Sequence, residues 1–285
     1  LRLATWARRS WFQANVREAF VEMPLGNVNA RIGKQTINWG EAVGVFVADV
    51  VNARDLREFL LQDFDQLRIG QWAARFDWQG EDKSAEVVWI PVPTYDNIGA
   101  FGGDYFSLPY SNVSNLFAVT PSVKPSRSLA HSNVGVRGGF LKDGWDVSAF
   151  YYRSMDREAL LTSRLSPIIP APLFTPTFGS RISQFGTTSS KDLEFAILKT
   201  EAVYTHGKAF TTANPIILGK IENRNTVDLL VGLDVPIPDS EARLNLQAIQ
   251  RVILGNADGL AVPRTQSYAS VQVVYPSGKW EASLL

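Results

Sequence analysis

The chain has no cysteine, so neither a disulfide framework nor a thiolate metal site is open to it. It has no net charge either: 28 basic residues balance 28 acidic ones, without the basic excess of a nucleic-acid binder. Histidine is scarce. His131 follows a loop and His206 ends a predicted strand, and neither has a serine or carboxylate at a recognisable spacing. Ser132 beside His131 is only a sequence neighbour, and neighbours rarely form a catalytic dyad. Asp63-Phe64-Asp65 lacks the further oxygen ligands and the glycine of an EF-hand loop. Gly102-Gly103 and Gly138-Gly139 do not join a strand to a helix, as a phosphate loop must. No catalytic residue, metal or cofactor is therefore expected.

No apolar run reaches the ~18 residues of a transmembrane helix. That excludes a helical span only, because a barrel strand crosses with about 9–11 alternating residues. No signal peptide opens the sequence at Leu1, so an exported protein would here be mature or partial. No repeat of fixed period is present, which disfavours propellers and solenoids.

What the chain does have is alternation. In 71–79, Trp72, Ala74, Phe76 and Trp78 point one way, and Gln71, Ala73, Arg75 and Asp77 the other. Similar alternation marks 16–23, 28–38, 85–91, 133–140, 145–153, 180–186, 193–206, 225–235, 242–253, 266–275 and 279–284, and more weakly 1–12. The connections alternate in length: short at 25–27, 80–83, 141–144, 188–191, 236–240 and 276–278; long at 39–68, 92–131, 154–178, 207–224 and 254–265. This predicts an all-β, antiparallel up-and-down transmembrane β-barrel, with short periplasmic turns and long extracellular loops. The whole chain, 1–285, reads as one barrel domain with further strands expected beyond both ends. A soluble β-sandwich is the alternative, its apolar faces packed on each other.

The barrel reading sorts the residues by side. Trp72, Phe76, Trp78, Trp145, Tyr151, Leu229 and Leu246 are predicted to face lipid. Arg17, Arg31, Lys34, Arg75, Asp77, Arg137, Lys199, Glu201, Asp228 and Arg243 are predicted to face the lumen, where mixed signs imply weak ion selectivity or cross-strand pairing. The insert 39–68 contains a predicted helix with Asn52 as N-cap and an apolar stripe of Leu56, Phe59 and Leu60. Too apolar to stand in water, this helical insert is expected to fold into or over the lumen. Glu41, Arg54, Asp55, Arg57 and Glu58 would then meet the wall charges; the plainer alternative is a solvated helix face. The loop aromatics Tyr95, Phe101, Tyr105, Phe106 and Tyr110 suggest an interfacial girdle or loop packing.

Several of these segments carry a resemblance. They are Arg17-Glu18-Ala19, Gly33-Lys34-Gln35, Trp39-Gly40-Glu41, Asp49-Val50-Val51-Asn52 and Arg54-Asp55-Leu56-Arg57-Glu58, then more sparsely Glu201-Ala202-Val203-Tyr204, Gly232-Leu233-Asp234 and Leu246-Gln247. The chain resembles a proteobacterial family of outer-membrane β-barrel proteins known as a domain of unknown function, departing from it at Asn52-Ala53, where the family has Asn-Pro. The resemblance implies a porin-like component of the Gram-negative cell outer membrane. It would move hydrophobic or amphiphilic small molecules, lipid- or sterol-like, with a periplasmic lipoprotein-like partner and an inner-membrane transporter of the resistance-nodulation-division (RND) family. It defines no catalytic residues. The competing expectations are a closed barrel that docks an envelope protein and a soluble all-β binding domain.

Overall fold

In the computed structural model, which describes residues 16–42, 44–57, 64–99, 118–165, 172–213, 220–277 and 280–284, the alternating stretches form one twelve-stranded antiparallel sheet. Its strands are β1 (Ala19–Leu25), β2 (Val28–Gln35), β3 (Gln71–Gln79), β4 (Lys83–Ile90), β5 (Asn133–Lys142) and β6 (Trp145–Met155), followed by β7 (Arg181–Asp192), β8 (Ile197–Thr211), β9 (Ile221–Pro236), β10 (Arg243–Leu254), β11 (Thr265–Ser277) and β12 (Trp280–Leu284). Spatial order follows chain order throughout, which is an up-and-down meander. Among the described residues β1 and β12 do not pair, and the sheet is not closed. The predicted strand in 1–12 lies outside the described residues.

Connections remain short at one end and long at the other. The β5–β6 turn has Asp143 and Gly144 both at positive φ (52° and 73°), the Asp-Gly pattern of a type I′ hairpin. Several boundaries differ from expectation, among them the start of β9 at Ile221 instead of 225. The predicted turn at 188–191 is strand, paired with 198–201, and the chain reverses at 193–196 with Glu194 at positive φ. Strand β8 does not end at His206 but passes a bulge between Thr205 and Lys208 and runs on to Thr211.

Among the described residues the predicted helix is absent. Ala53–Leu56 is a short strand, pairing with Arg68–Ile69 and, in parallel, with Asn97–Ile98. Among the described residues this region has one helix, Phe64–Leu67; 58–63, including Glu58, Phe59 and Leu60 of the predicted helix, lie outside them. Further on, Leu160–Leu165 pairs with Pro172–Thr177, inside what reads as loop.

Register gives the sheet two unlike faces. On one, Trp72 stands opposite Lys34, Ala74 opposite Ile32 and Trp89, and Phe76 opposite Ala30 and Val87. This outer face leaves Trp72, Trp89, Val136, Phe140, Trp145, Phe185, Val231 and Val271 exposed, an apolar belt no soluble protein of this size would leave bare. The inner face carries the core. Ile37, Trp39, Ala48, Val50 and Val51, from the connection after β2, pack on Ala73, Val88, Ile90, Phe150, Tyr152 and Val203 of the wall.

Trp39 sets the fit. Its ring lies 5.1 Å from that of Phe150 and 5.6 Å from that of Tyr152. Gly135 lets it approach, since a Cβ there would lie 2.5 Å from the Trp39 ring and 2.7 Å from Tyr152. Gly135→Ala is therefore expected to lift Trp39 at a cost of about 1–3 kcal/mol, the usual cost of overpacking. The check is protease cleavage within 36–57 of a barrel that otherwise keeps its heat-modifiable gel mobility.

Candidate functional site: the inner wall and the segment packed on it

The connection after β2 is fixed to the wall by polar bonds as well as apolar contacts. Glu201, on β8, is almost fully buried. Its Oε1 accepts from the backbone N–H of Glu41 (2.5 Å) and Ala42 (2.8 Å), and its Oε2 from that of Ala48 (2.6 Å). One carboxylate thus gathers a whole loop. Glu86 of β4 accepts the indole N–H of Trp39 at 2.7 Å and an Arg75 N–H at 2.9 Å. Asn52 sits inside the segment rather than capping a helix. Its Oδ1 accepts from Ile37 N at 3.0 Å, its Nδ2 donates to Ile37 O at 2.8 Å, and Asp49 beside it pairs with Arg68 at 2.5 Å.

A second cluster joins three connections to the wall. Arg54 holds Asp96 through its backbone N–H (2.8 Å), Nε (3.0 Å) and Nη2 (2.7 Å), and reaches Glu158 at 3.0 Å. Lys208 of β8 donates to Glu158 at 2.8 Å and to Asp156 at 3.2 Å. Arg157 donates to the Asn52 carbonyl. The Lys208 ammonium, then the Arg54 guanidinium, holds the Glu158 carboxyl well below the usual carboxylate range, against the opposing effect of burial. The Phe46 ring lies under two cations, Arg54 (5.7 Å) and Arg68 (5.5 Å). A polar cavity of about 40 Å³ remains here, room for a few waters and too small for a solute.

The residues singled out from sequence distribute as follows. Arg31, Arg75, Asp77, Arg137, Lys199, Glu201, Asp228 and Arg243 lie on the inner face by register. Most are paired: Arg31 with Glu22 (3.0 Å), Arg75 with Asp77 (2.8 Å) and Glu86, Lys199 with Asp234 (3.8 Å), and Asp228 with Arg251. Glu41 and Arg54 belong to the packed segment, with Glu41 3.9 Å from Arg137; Asp55 and Arg57 pair with each other at 2.6 Å. Arg17 precedes β1 and lies on no strand. Lys34 is a correction. It shares a row with Trp72 and Ala19, on the outer face, because Val28, Ala30, Ile32 and Lys34 have one parity. Trp72, Phe76, Trp78, Trp145, Leu229 and Leu246 are exposed on that outer face, and Tyr151 packs at 4.8 Å on Phe185 there. Tyr95 packs at 5.4 Å on Phe178, whereas Phe101, Tyr105, Phe106 and Tyr110 lie outside the described residues. Asp96, Asp156, Glu158 and Lys208 were not foreseen: the first three sit in connections without periodicity, and Lys208 follows the bulge.

A meander with an apolar exterior and an ionic, hydrogen-bonded interior defines a class, the outer-membrane β-barrel fold. Solved structures share it. Outer-membrane expressed OmpT of Vibrio cholerae superposes with a TM-score of 0.55 at 11% identity, over 94% of this chain and 68% of its own. The in-vitro folded OmpT of the same organism gives 0.53 at 11% identity, over 93% and 66%. Its loop L8 deletion mutant gives 0.52 at 11% identity, over 93% and 71%. The chain thus spans about two thirds of the length of the first of these proteins. The shared fold and this chain's own apolar belt place it in the outer membrane. Residues 7–274 match the family described as "Protein of unknown function (DUF1302)", and the chain belongs to that family. No curated protein matches it.

Proposed function

We propose that the protein is a non-enzymatic outer-membrane conduit whose bore is narrowed by the segment 36–57 lying on its inner wall. The observation that carries this reading is the Glu201 carboxylate, which holds residues 41, 42 and 48 against the wall through bonds that a local movement can exchange for water. The wall supports a wet bore, since its charges are of both signs and mostly paired. Such a wall discriminates weakly between anions and cations. The cargo we assign is hydrophobic or amphiphilic small molecules, lipid- or sterol-like. A periplasmic lipoprotein-like protein and an RND-family inner-membrane transporter would hand it on. Cargo and partners rest on the family resemblance.

Deleting 44–66 from the full chain tests the conduit. In planar bilayers the deletion is expected to raise single-channel conductance and to leave reversal potentials in a salt gradient near zero. Unchanged conductance in a correctly folded deletion would favour a closed barrel that docks an envelope protein.

A further inference from the structure

Lys34 is a cation on the wrong side of the wall. Charges on the lipid face of a barrel are costly at mid-depth and tolerated only near the interface. Its row, Trp72·Lys34·Ala19, lies at the end from which the long connections 36–70 and 91–132 leave. The Lys34 ammonium donates to Val16 O at 2.5 Å, using one of its three hydrogens. The next row inward is Trp89·Ala74·Ile32·Val21. Here the outer surface is not flat. An apolar groove of about 640 Å³ is lined by Ala19, Val21, Ile32, Trp72, Ala74 and Trp89, where small alanines lie between bulky indoles.

We propose that this groove is a lipid-binding site that seats an acyl chain of lipopolysaccharide, with a phosphate of the same molecule on Lys34. An apolar trough inside a bilayer takes a hydrocarbon chain, and the cation at its rim demands an anionic headgroup at the same depth. The leaflet follows from the fold. Long connections of outer-membrane barrels face outward, and the anionic lipid of that outward leaflet is lipopolysaccharide. The site rests on outer-membrane placement and on that orientation. It does not rest on conduction, and a closed barrel would carry it equally.

The test uses the full chain purified in detergent, washed free of lipid and offered either purified lipopolysaccharide or phosphatidylglycerol, with bound lipid counted by native mass spectrometry. The wild type is expected to retain lipopolysaccharide in preference. Ala74→Trp, which fills the groove, should lose most of it. Lys34→Gln should weaken retention about fivefold, the worth of one cation at a charged membrane surface. Leu246→Trp, elsewhere on the outer face, should change nothing. Folding is read independently from heat-modifiable gel mobility. Should Ala74→Trp fail to fold, Lys34→Gln carries the test alone, because Lys34 is half-buried beside the groove, opposite Ala19 and Trp72, and fills none of it. Equal retention by the wild type and Lys34→Gln, preference for phosphatidylglycerol, or no retained lipid in the wild type would each overturn the proposal.

Discussion

Glu201→Ala is expected to free residues 41–48 from the inner wall and to raise the conductance of the protein several-fold without unfolding the barrel. The carboxylate accepts three backbone N–H groups from one loop. A hydrogen bond to a charged group contributes about 1.5–3 kcal/mol, so these three dominate the attachment of a stretch whose apolar contacts with the core are those of Val47 and Ala48. Their loss strands nothing, because the loop can lift and its N–H groups then meet water. Trp39 and Val51 stay buried on either side, so the release is local. The wall should hold as well. Glu201 faces Thr188 and Leu230 across its ladders, and none of these backbone pairings depends on its side chain. Glu201→Gln separates charge from shape. Its amide oxygen can still accept from residues 41 and 42, whereas its NH2 would face the N–H of Ala48, so conductance should fall between wild type and alanine. Planar-bilayer recordings read all three proteins. A Glu201→Ala conductance equal to wild type, with 41–48 equally protected from protease, would remove the carboxylate latch from the account.

The strands were legible because each reports its own surroundings. Trp72, Phe76 and Trp78 alternate with Gln71, Arg75 and Asp77 because one side of the wall meets hydrocarbon and the other meets polar groups. Asp143-Gly144 was legible for a different reason: only residues tolerant of positive φ close a two-residue hairpin. The misreadings have separate physical causes. Thr188-Ser189-Ser190-Lys191 looks like a turn, since polar clusters are turn signals in soluble proteins. In this wall, polar residues are ordinary inward-facing strand residues, and Thr188 is buried beside Glu201. Lys34 reads as a lumen residue by its charge, whereas its parity with Val28, Ala30 and Ile32 points outward. Asn52 looks like an N-cap, yet its carboxamide is engaged by the backbone of Ile37, fifteen positions away. A bond of that span leaves no local trace, and Ala53–Leu56 then pairs with partners on both sides instead of coiling. Asp96 and Glu158 were invisible for the same reason, since only the assembled connections bring them to Arg54.

That ionic cluster carries the second large effect. Arg54→Met is expected to destabilise the packed connections by on the order of 3–5 kcal/mol, the usual result of removing one partner from a buried ionic pair. Asp96 is 2% exposed and would keep the backbone N–H of residue 54, at 2.8 Å, with Arg157 at 3.9 Å as its remaining cation among the described residues. Arg54→Lys should recover little, because an ammonium cannot reproduce the forked grip on Asp96 while also reaching Glu158. The double change Arg54→Met with Asp96→Asn should recover more than Arg54→Lys, since it removes the stranded charge. Acid titration reads the same cluster from its other end. Glu158 has a depressed folded pKa, set first by Lys208 and then by Arg54 against burial. Its contribution is therefore present in full above its ordinary value of 4.5 and is lost as pH falls through the lower folded value. Melting midpoints should be level from neutral pH down to about 5 in this respect and decline below. In Lys208→Met the decline belonging to Glu158 should shrink, because the largest cause of the shift is gone. A melting profile in which Lys208→Met leaves the acid decline intact would show that Glu158 draws its stability from elsewhere. A wild-type midpoint in Arg54→Met would show the same of Asp96.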